Sequence, residues 1–207
     1  MKKTTSSRVV NLSGLVLAVA AMTLAAGAQA QTSSNPNTGR GIYAPGASYI
    51  GFNAGRSNFK NLSNGTGVFG AANRDTSYSL TGGTYFNDNF GVELGYTALG
   101  RVNRAGGTTD AEGVNVGLVA KAPIGEQFNL LGRVGTTYGR SNVSSAPGSG
   151  VVGGRASGFG LSYGVGAEYA FNTNWSALLQ YDEYNIKFAN TGRSRVGNTS
   201  AGLRYRF

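Results

Sequence analysis

Side chains that could carry out acid–base or nucleophilic chemistry are few in this chain of 207 residues. It has no histidine, no cysteine and only nine Asp and Glu residues. A serine nucleophile needs an activating base, and catalytic metal sites draw mainly on His, Cys and carboxylate ligands. Glu93 and Glu168 could support acid–base catalysis, but both are more readily explained as ion-pair partners of basic residues. The composition therefore argues against an enzyme, and no metal or other cofactor is expected.

The two glutamates belong to stretches in which bulky and small residues alternate. In "GFGLSYGVGAEYAF" (158–171), Phe, Leu, Tyr and Val take one set of positions, while Gly, Ser and Glu168 take the other. A period of two is the pattern of a β-strand. The same alternation recurs in seven further segments between residue 47 and the end of the chain. The sequence therefore predicts eight strands, each with one bulky apolar face and one small or polar face.

The links between these strands alternate between long and short. Polar stretches near 57–76, 100–112, 140–157 and 187–196 are long, whereas turns near 87–89, 123–126 and 172–174 are short. About ten residues at ~3.3 Å each, tilted by ~45°, span the ~25 Å lipid band of an outer membrane. This pattern predicts an all-β fold over 47–207, an eight-stranded antiparallel up-and-down transmembrane β-barrel. A soluble sandwich is the alternative, but the non-bulky face is mostly Gly, Ser and Thr, which suits a narrow lumen.

The start of the chain indicates export. Lysines and an arginine precede the apolar run "LVLAVAAMTLAA", and Ala28-Gln29-Ala30 has the form of a cleavage site. We therefore predict a signal peptide over 1–30, with a retained membrane anchor as the alternative, and a polar periplasmic linker over 31–46. Together with the barrel pattern, this predicts the outer membrane of a Gram-negative bacterium, with long loops extracellular and short turns periplasmic.

Charged residues on the small face of the strands point into the predicted lumen. Buried charges need partners, so ion pairs are expected among them, and an eight-stranded barrel is just wide enough inside for side chains. We predict a charged plug that leaves the lumen largely closed; a gated pore is the alternative. The predicted network consists of Glu93, Lys121, Arg133, Glu168, Arg204 and Arg206.

The closing stretch "AGLRYRF" (201–207) places Leu203, Tyr205 and Phe207 on one face, toward lipid. The last strand must pair with the first, because an open sheet edge is not tolerated in hydrocarbon. A terminal aromatic residue with alternating apolar residues is similar to the assembly signal of bacterial outer-membrane barrels. The resemblance implies the barrel-assembly machinery and periplasmic chaperones as partners.

Five stretches together resemble the transmembrane domain of the outer-membrane protein A family. They are "FGVELGYTALGR" (90–101), "AKAPIG" (120–125), "LLGRVG" (130–135), "YGVGAEYAF" (163–171) and "AGLRYRF". The resemblance implies a monomeric barrel with a polar lumen. Longer members of the family add a periplasmic peptidoglycan-binding domain, and that function is not expected in a chain that stops at Phe207.

The resemblance also implies roles for single residues. The family's lumen acids map to Glu93 and Glu168, and its strand-five arginine maps to Arg133. Its strand-four lysine falls at Val119, with Lys121 two residues away on the same face as a substitute. Its strand-seven arginine falls at Leu178, so that partner is missing, and gating inferred from the family does not carry over directly.

Basic residues outnumber acidic ones in and beside the long links. Arg101, Arg104, Arg193 and Arg195 are the candidates for a basic outer rim. Each basic group near an anionic membrane surface contributes ~1 kcal/mol, so the rim predicts binding of lipopolysaccharide. Nucleic acid is not expected, because the basic residues are spread over loops without a stacking platform. We predict a structural or surface-interaction role; the alternatives are a loop-mediated adhesin and a narrow small-solute channel.

Overall fold

The structure of the chain, a computed structural model, describes residues 47–59, 74–104, 107–145, 154–188 and 192–207. The side chains of residues 74, 102–104, 107, 145, 188, 192 and 193 lie outside this description. The predicted signal peptide (1–30) and linker (31–46) also lie outside the described residues. No helix among the described residues is long and apolar enough to cross a membrane.

Eight antiparallel strands form a closed barrel in which each strand pairs with its neighbours in the chain. The last strand closes the wall by pairing with the first, from Tyr49–Arg206 to Phe59–Val196. The predicted fold class is confirmed. The strands are β1 (Ser48–Phe59), β2 (Arg74–Tyr85), β3 (Phe90–Arg104), β4 (Gly107–Ile124), β5 (Phe128–Ser145), β6 (Gly154–Ala170), β7 (Trp175–Phe188) and β8 (Gly192–Arg206).

The alternation in the sequence separates two environments. Large apolar side chains such as Val165 and Leu179 are exposed on the outer face, whereas the lumen side chains Glu168 and Arg204 are 0% and 1% exposed. This arrangement is the reverse of a water-soluble protein and fits a barrel whose outer face meets lipid. An exposed aromatic girdle marks the end with the short turns, the short-turn end, and comprises Phe86, Phe90, Phe128, Phe171, Trp175 and Phe207.

Two of the short turns have the same construction. Asn87 Oδ1 accepts the backbone N–H groups of Asn89 and Phe90, at 3.0 and 2.6 Å. In the turn at 172–174, Asn172 Oδ1 accepts the N–H groups of the equivalent two residues, at 2.9 and 2.8 Å. An Asn side chain that bonds to its own turn stabilises a tight connection. These turns begin β3 and β7.

The connections at the opposite end, the long-connection end, are shorter than the sequence predicted. β3 and β4 continue through the region predicted as a loop over 100–112, so only 105–106 lie between them. The predicted links at 57–76, 140–157 and 187–196 shrink in the same way, to 60–73, 146–153 and 189–191. The prediction was wrong because polar outer faces replace apolar ones there, which weakens the alternation while the backbone ladder continues.

A bulge in β3 changes the direction of its side chains. The β3–β4 register shifts between Ala98 and Gly100, and Gly100 has a φ of 83°. Glycine adopts this backbone region without steric cost. Leu99 points into the lumen and is buried, whereas Arg101, two residues later, is exposed on the outer face. Without the extra residue, the two side chains would share one face.

The wall divides into two sheets toward the long-connection end. The β6–β7 ladder stops at Ser162–Tyr184 and the β2–β3 ladder stops at Tyr78–Ala98. The other ladders continue, so β3 to β6 form one sheet and β7, β8, β1 and β2 form the other. The barrel is therefore fully closed only toward the short-turn end, which we call its lower part.

Candidate functional site

A chain of ion pairs fills the lumen near the short-turn end. Arg206 at the end of β8 places Nη1 3.0 Å from Glu168 Oε1. The Ser176 hydroxyl donates to the same oxygen at 2.5 Å. The other oxygen of Glu168 lies 3.5 Å from Arg204 Nη1. Glu168 is thus neutralised by two arginines of one strand, although it has no contact with water.

The same chain continues upward through Glu93. Arg204 Nη2 lies 3.6 Å from Glu93 Oε2, and Arg133 Nη1 lies 3.2 Å from Glu93 Oε1. The Tyr49 hydroxyl donates to Glu93 at 2.8 Å. Arg133 then reaches Asp182 with Nη2, 2.7 Å from Oδ1. Buried charges of opposite sign therefore alternate along the lumen, as burial in a low dielectric requires.

Aromatic rings support two of the lumen cations. The Arg204 guanidinium lies 3.9 Å from the centre of the Tyr49 ring, and Lys121 Nζ lies 4.6 Å from the centre of the Tyr85 ring. Contacts of this type stabilise cations more when they are desolvated. All six residues predicted for the lumen network point inward, and five of them are joined in the chain of ion pairs. Lys121 is buried beside them.

Asp182 is a buried lumen acid that was not predicted as part of the lumen network. It lies on the small face of β7 with Gln180, so the alternation in the sequence already indicates that its side chain points into the lumen. The partner of Asp182 could not be predicted from the sequence, because Arg133 reaches Asp182 across β6, at the position of Gly164. Leu178, at the family's strand-seven arginine position, faces the lumen and is buried as an apolar residue.

A small cavity of about 40 Å³ separates the ion pairs from the layer above. Glu93, Arg133 and Asp182 line one side of it. On the other side, the Asn115 amide donates to Thr97 Oγ1 at 2.9 Å. A polar space of this size can accommodate a few water molecules. The cavity therefore lies within the charged part of the lumen.

An apolar layer lies above the cavity, toward the long-connection end. Its side chains form one buried cluster: Phe59, Leu99, Ala111, Tyr184, Ile186 and Val196. This layer was not predicted from the sequence, because most of these residues lie in or beside the predicted loops. The end of β7 leans across the lumen here, since a Cβ on Gly139 of β5 would lie 3.1 Å from Ile186.

A groove of about 890 Å³ lies on the outer face of β3 to β6 at the long-connection end. Three exposed arginines line it: Arg101, Arg140 and Arg155. Arg101 Nε lies 2.7 Å from Asp110 Oδ1, so the two side chains form an exposed ion pair. Glu112 lies directly opposite Arg140 in the β4–β5 ladder.

Tyrosines form the lower wall of this groove. The Tyr96 hydroxyl donates to Glu112 at 2.6 Å, and the Arg140 guanidinium lies 5.9 Å from the centre of the Tyr138 ring. Tyrosines on a lipid-facing surface mark the boundary between hydrocarbon and water. The arginines of the groove therefore lie just beyond that boundary.

The other predicted rim residues are distributed differently. Arg195 is exposed on the outer face of β8, outside the groove. The side chains of Arg104 and Arg193 lie outside the described residues. Arg140 and Arg155 belong to the same basic excess, in the predicted link at 140–157, but were not among the four rim candidates; the structure places both on strands.

The predicted assembly residues all point outward. Leu203, Tyr205 and Phe207 are exposed, and Tyr205 packs against Trp175 with ring centres 5.0 Å apart. The Phe207 N–H donates to the Ser48 carbonyl at 3.0 Å. The last residue thus belongs to the seam between β1 and β8. Its role as an assembly signal stays a prediction.

Comparison with known proteins supports the membrane assignment. The model of the outer membrane protein beta-barrel domain matches residues 16–207. Outer membrane protein A of Serratia marcescens is 35% identical over 132 residues, which are 58% of this chain and 36% of that protein. The protein of the same name from Yersinia pseudotuberculosis is 29% identical over 141 residues, 62% of this chain and 40% of that protein. The chain thus spans less than half the length of these curated relatives.

Solved structures share the fold. Neisserial surface protein A superimposes with a TM-score of 0.60 at 18% identity, covering 78% of this chain and 99% of that one. Ail, the attachment invasion locus protein of Yersinia pestis, superimposes with a TM-score of 0.54 at 21% identity, covering 79% and 100%. With the closed eight-stranded wall and the matching family model, these likenesses show that the chain belongs to the outer membrane protein beta-barrel domain family, as a small outer-membrane barrel similar to outer membrane protein A.

Proposed function

We propose that this protein is a surface protein of the outer membrane that binds the phosphorylated glycolipid of the outer leaflet, lipopolysaccharide. The observation that carries the proposal is the groove on β3 to β6, where Arg101, Arg140 and Arg155 share one outer face above a row of tyrosines. In this orientation the long-connection end is extracellular and the short turns are periplasmic.

The groove offers three guanidinium groups to the phosphates of a sugar, alongside the carboxylates of Asp75, Asp110 and Glu112. Arg140 lies opposite Ser157 in the β5–β6 ladder, and Arg155 lies two residues before Ser157 on β6, so Arg140 and Arg155 are diagonal neighbours. Guanidinium groups bind phosphate through paired N–H donors, which favours Arg over Lys at such a place. The lipid chains would then lie along the apolar wall below the tyrosines.

One solved relative of this fold holds an anionic sugar. The Ail protein of Yersinia pestis has been solved in complex with the heparin analogue sucrose octasulfate. Its likeness to this chain, with a TM-score of 0.51 and 21% identity, extends to the fold alone. It supports the proposal to the extent that a barrel of this architecture can carry a highly charged sugar.

The glycolipid proposal has a direct test. Replacing Arg101 and Arg140 together with Gln should reduce the lipopolysaccharide that co-purifies with the barrel, most clearly at low salt, because salt screens such contacts. The matched control replaces Arg56 and Arg195, which are exposed on β1 and β8 outside the groove, and removes the same charge. Equal losses in the two double variants would mean that only overall charge matters, and the groove would be rejected as the binding site.

We also propose that the lumen is closed to solutes in the resting protein. The ion pairs of the lower lumen and the buried apolar layer above them are two different obstacles in series. An ion entering from either end would have to displace a buried salt bridge or cross the apolar layer without hydration, and both are costly. Planar-bilayer recording tests this proposal: the reconstituted barrel should show no stable conductance, and a steady open level would reject it.

A further inference from the structure

Two threonines on the outer wall occupy equivalent positions in their strands. Thr136 lies eight residues above Phe128 on β5, and Thr199 lies eight residues above Phe207 on β8. Both phenylalanines belong to the aromatic girdle, and both threonines are exposed. At ~3.3 Å per residue and a tilt of ~40°, eight residues rise roughly 20 Å. The two threonines therefore lie at similar heights above the girdle.

The surroundings of Thr136 are those of a residue in hydrocarbon. It lies directly opposite Val116 on β4 and Leu161 on β6, each 54% exposed. The Thr136 hydroxyl donates to the Gly160 carbonyl at 3.2 Å, so its polar group is satisfied within the wall. The next outward residue of β5 is Tyr138. The lipid on this side of the barrel therefore extends above Thr136.

The surroundings of Thr199 are those of a residue at the head groups. It lies directly opposite the exposed Arg56 on β1 and Tyr181 on β7. The next outward residue of β8 is Gly197, opposite Glu183 of β7. Charged side chains that face hydrocarbon are costly and rare. The lipid on this side of the barrel therefore ends at or below Thr199.

Glu183 marks the line between the two sides. It lies opposite Tyr163 of β6, whose hydroxyl donates to its carboxylate, and the Tyr181 hydroxyl donates to it at 2.8 Å. The carboxylate group is thereby shielded from lipid, and Glu183 is 7% exposed. On β6, the apolar Leu161 and Phe159 follow Tyr163 toward the long-connection end and are exposed. The boundary between hydrocarbon and water therefore descends from β6 to β7.

The lower border of the apolar wall shows no such difference. The girdle follows the short turns on both sides, with Phe128 at the foot of β5 and Trp175 and Phe207 at the feet of β7 and β8. A rigid tilt of the barrel that levelled the upper border would move one side of this girdle into hydrocarbon. The outer wall is therefore a wedge, taller on β4 to β6 than on β7, β8 and β1.

We propose that this wedge thins the bilayer along β7, β8 and β1, which we call the thin side. The last apolar outward residue below these charges on β8 is Ala201, six residues above Phe207, whereas on β5 it is Tyr138, ten residues above Phe128. The difference of four residues corresponds to roughly 10 Å of height. A bilayer meets a short apolar wall by becoming thinner. The thin side therefore favours lipids with short acyl chains.

The first test measures the depth of the two threonines. The chain has one tryptophan, Trp175, and Trp175→Phe makes room for a single new one, by Thr136→Trp or by Thr199→Trp. The vesicles contain dioleoyl phosphatidylcholine without lipopolysaccharide, so the result is independent of the glycolipid groove. Lipids brominated on their chains should quench the Thr136→Trp variant, and acrylamide in the water should quench the Thr199→Trp variant. Equal quenching of the two variants by both agents would overturn the proposal.

The tryptophan of the wild type separates thinning from tilting. Trp175 lies at the foot of the thin side, so a barrel that tilts instead of thinning the bilayer would carry it into the hydrocarbon. We expect its emission to be the same in dilauroyl and in dioleoyl phosphatidylcholine. Quenching of Trp175 by mid-chain bromine in the thicker bilayer alone would overturn the proposal in favour of tilting.

A second test changes the height of the wall. Arg56→Leu with Thr199→Leu extends the apolar face of β1 and β8 on the thin side. The wild type should unfold at a lower urea concentration in dioleoyl than in dilauroyl phosphatidylcholine, and this variant should lose less of its stability between the two lipids. The matched control, Arg140→Leu with Thr136→Leu, makes the same replacements on the tall side and should lose as much as the wild type.

Gel mobility that changes on heating checks that each variant is folded. An equal gain by the thin-side variant and its control would mean that added apolar surface stabilises the barrel wherever it is placed, and this would contradict the proposal. A wild type that is equally stable in the two lipids would do so as well.

Discussion

Arg133 on β5 and Asp182 on β7 are joined across an intervening strand. Nη2 of Arg133 lies 2.7 and 3.0 Å from the two oxygens of Asp182. Between them on β6 lies Gly164, where a Cβ would overlap Asp182 Oδ1. A glycine in the wall therefore provides the space in which two side chains from non-adjacent strands meet.

Gly164→Ala should destabilise the barrel, because the added methyl group displaces Asp182 from Arg133. Overpacking of a filled interior costs about 1–3 kcal/mol. Urea unfolding in lipid vesicles measures the effect. Gly132→Ala is the matched control, since a Cβ there has no neighbour within 4 Å. If both variants unfold at the same urea concentration, the space at Gly164 is not needed for the ion pair.

Glu93→Ala should lower the free energy of unfolding by about 3 kcal/mol, because breaking a buried ion pair leaves charge unpaired. Here both Arg133 and Arg204 lose a partner. We expect the conductance in a planar bilayer to stay low, because the apolar layer above remains. If Glu93→Ala has the same free energy of unfolding as the wild type, Glu93 does not contribute to the lumen network. A large conductance of this variant would show that the ion pairs are the only barrier.

The apolar layer can be tested separately. Leu99→Ala combined with Ile186→Ala should open space at the long-connection end and cost about 2–5 kcal/mol per side chain if the cavity does not collapse. Combined with Glu93→Ala, these changes should produce measurable conductance. Leu118→Ala and Leu130→Ala, on the lipid-facing wall, are the control. A triple variant that folds and still does not conduct would contradict the two-barrier account.

The bulge in β3 offers a comparison of two glycines with the same backbone angle. Gly100 and Gly125 both have a φ of 83°, but a Cβ on Gly100 would lie 2.5 Å from the Thr76 carbonyl oxygen, whereas a Cβ on Gly125 meets nothing. Gly125→Ala should cost about 1 kcal/mol from backbone strain alone. Gly100→Ala should cost about 1–3 kcal/mol more because of the added clash. Equal midpoints in urea would show that the strand adjusts without cost.

The alternation of side-chain directions along a strand, which we call parity, explains what the sequence could predict and what it could not. A period of two assigns each residue to the lumen or the lipid, so Glu93, Arg204 and the outward Phe207 were placed correctly. Parity says nothing about which inward residues meet, since Arg133 finds Asp182 across a third strand. It also fails at a bulge, and this is why the opposite directions of Leu99 and Arg101 could not be foreseen.

The lengths of the strands were underestimated for a related reason. Alternation of apolar and polar residues reports contact with lipid, not the presence of a strand. Beyond the lipid, the ladder from Gly113–Gly139 to Gly107–Ser145 continues with polar residues on its outer face. Arg140 and Arg155 of the outer groove lie in this part of the barrel, on strands that continue into the predicted link at 140–157.

The two asparagine turns have a consequence for cutting the barrel into halves. In one half of the barrel, Asn89 donates its amide to the carbonyl of Lys121 at 2.9 Å, and in the other half Asn174 donates to the carbonyl of Arg206 at 3.0 Å. The same turn thus holds a cation-bearing residue at the end of β4 and again at the end of β8. Each four-stranded half therefore contains a complete turn of this kind. We expect separately produced fragments cut between β4 and β5 to reassemble into one barrel, and failure of the two halves to associate in lipid would contradict this expectation.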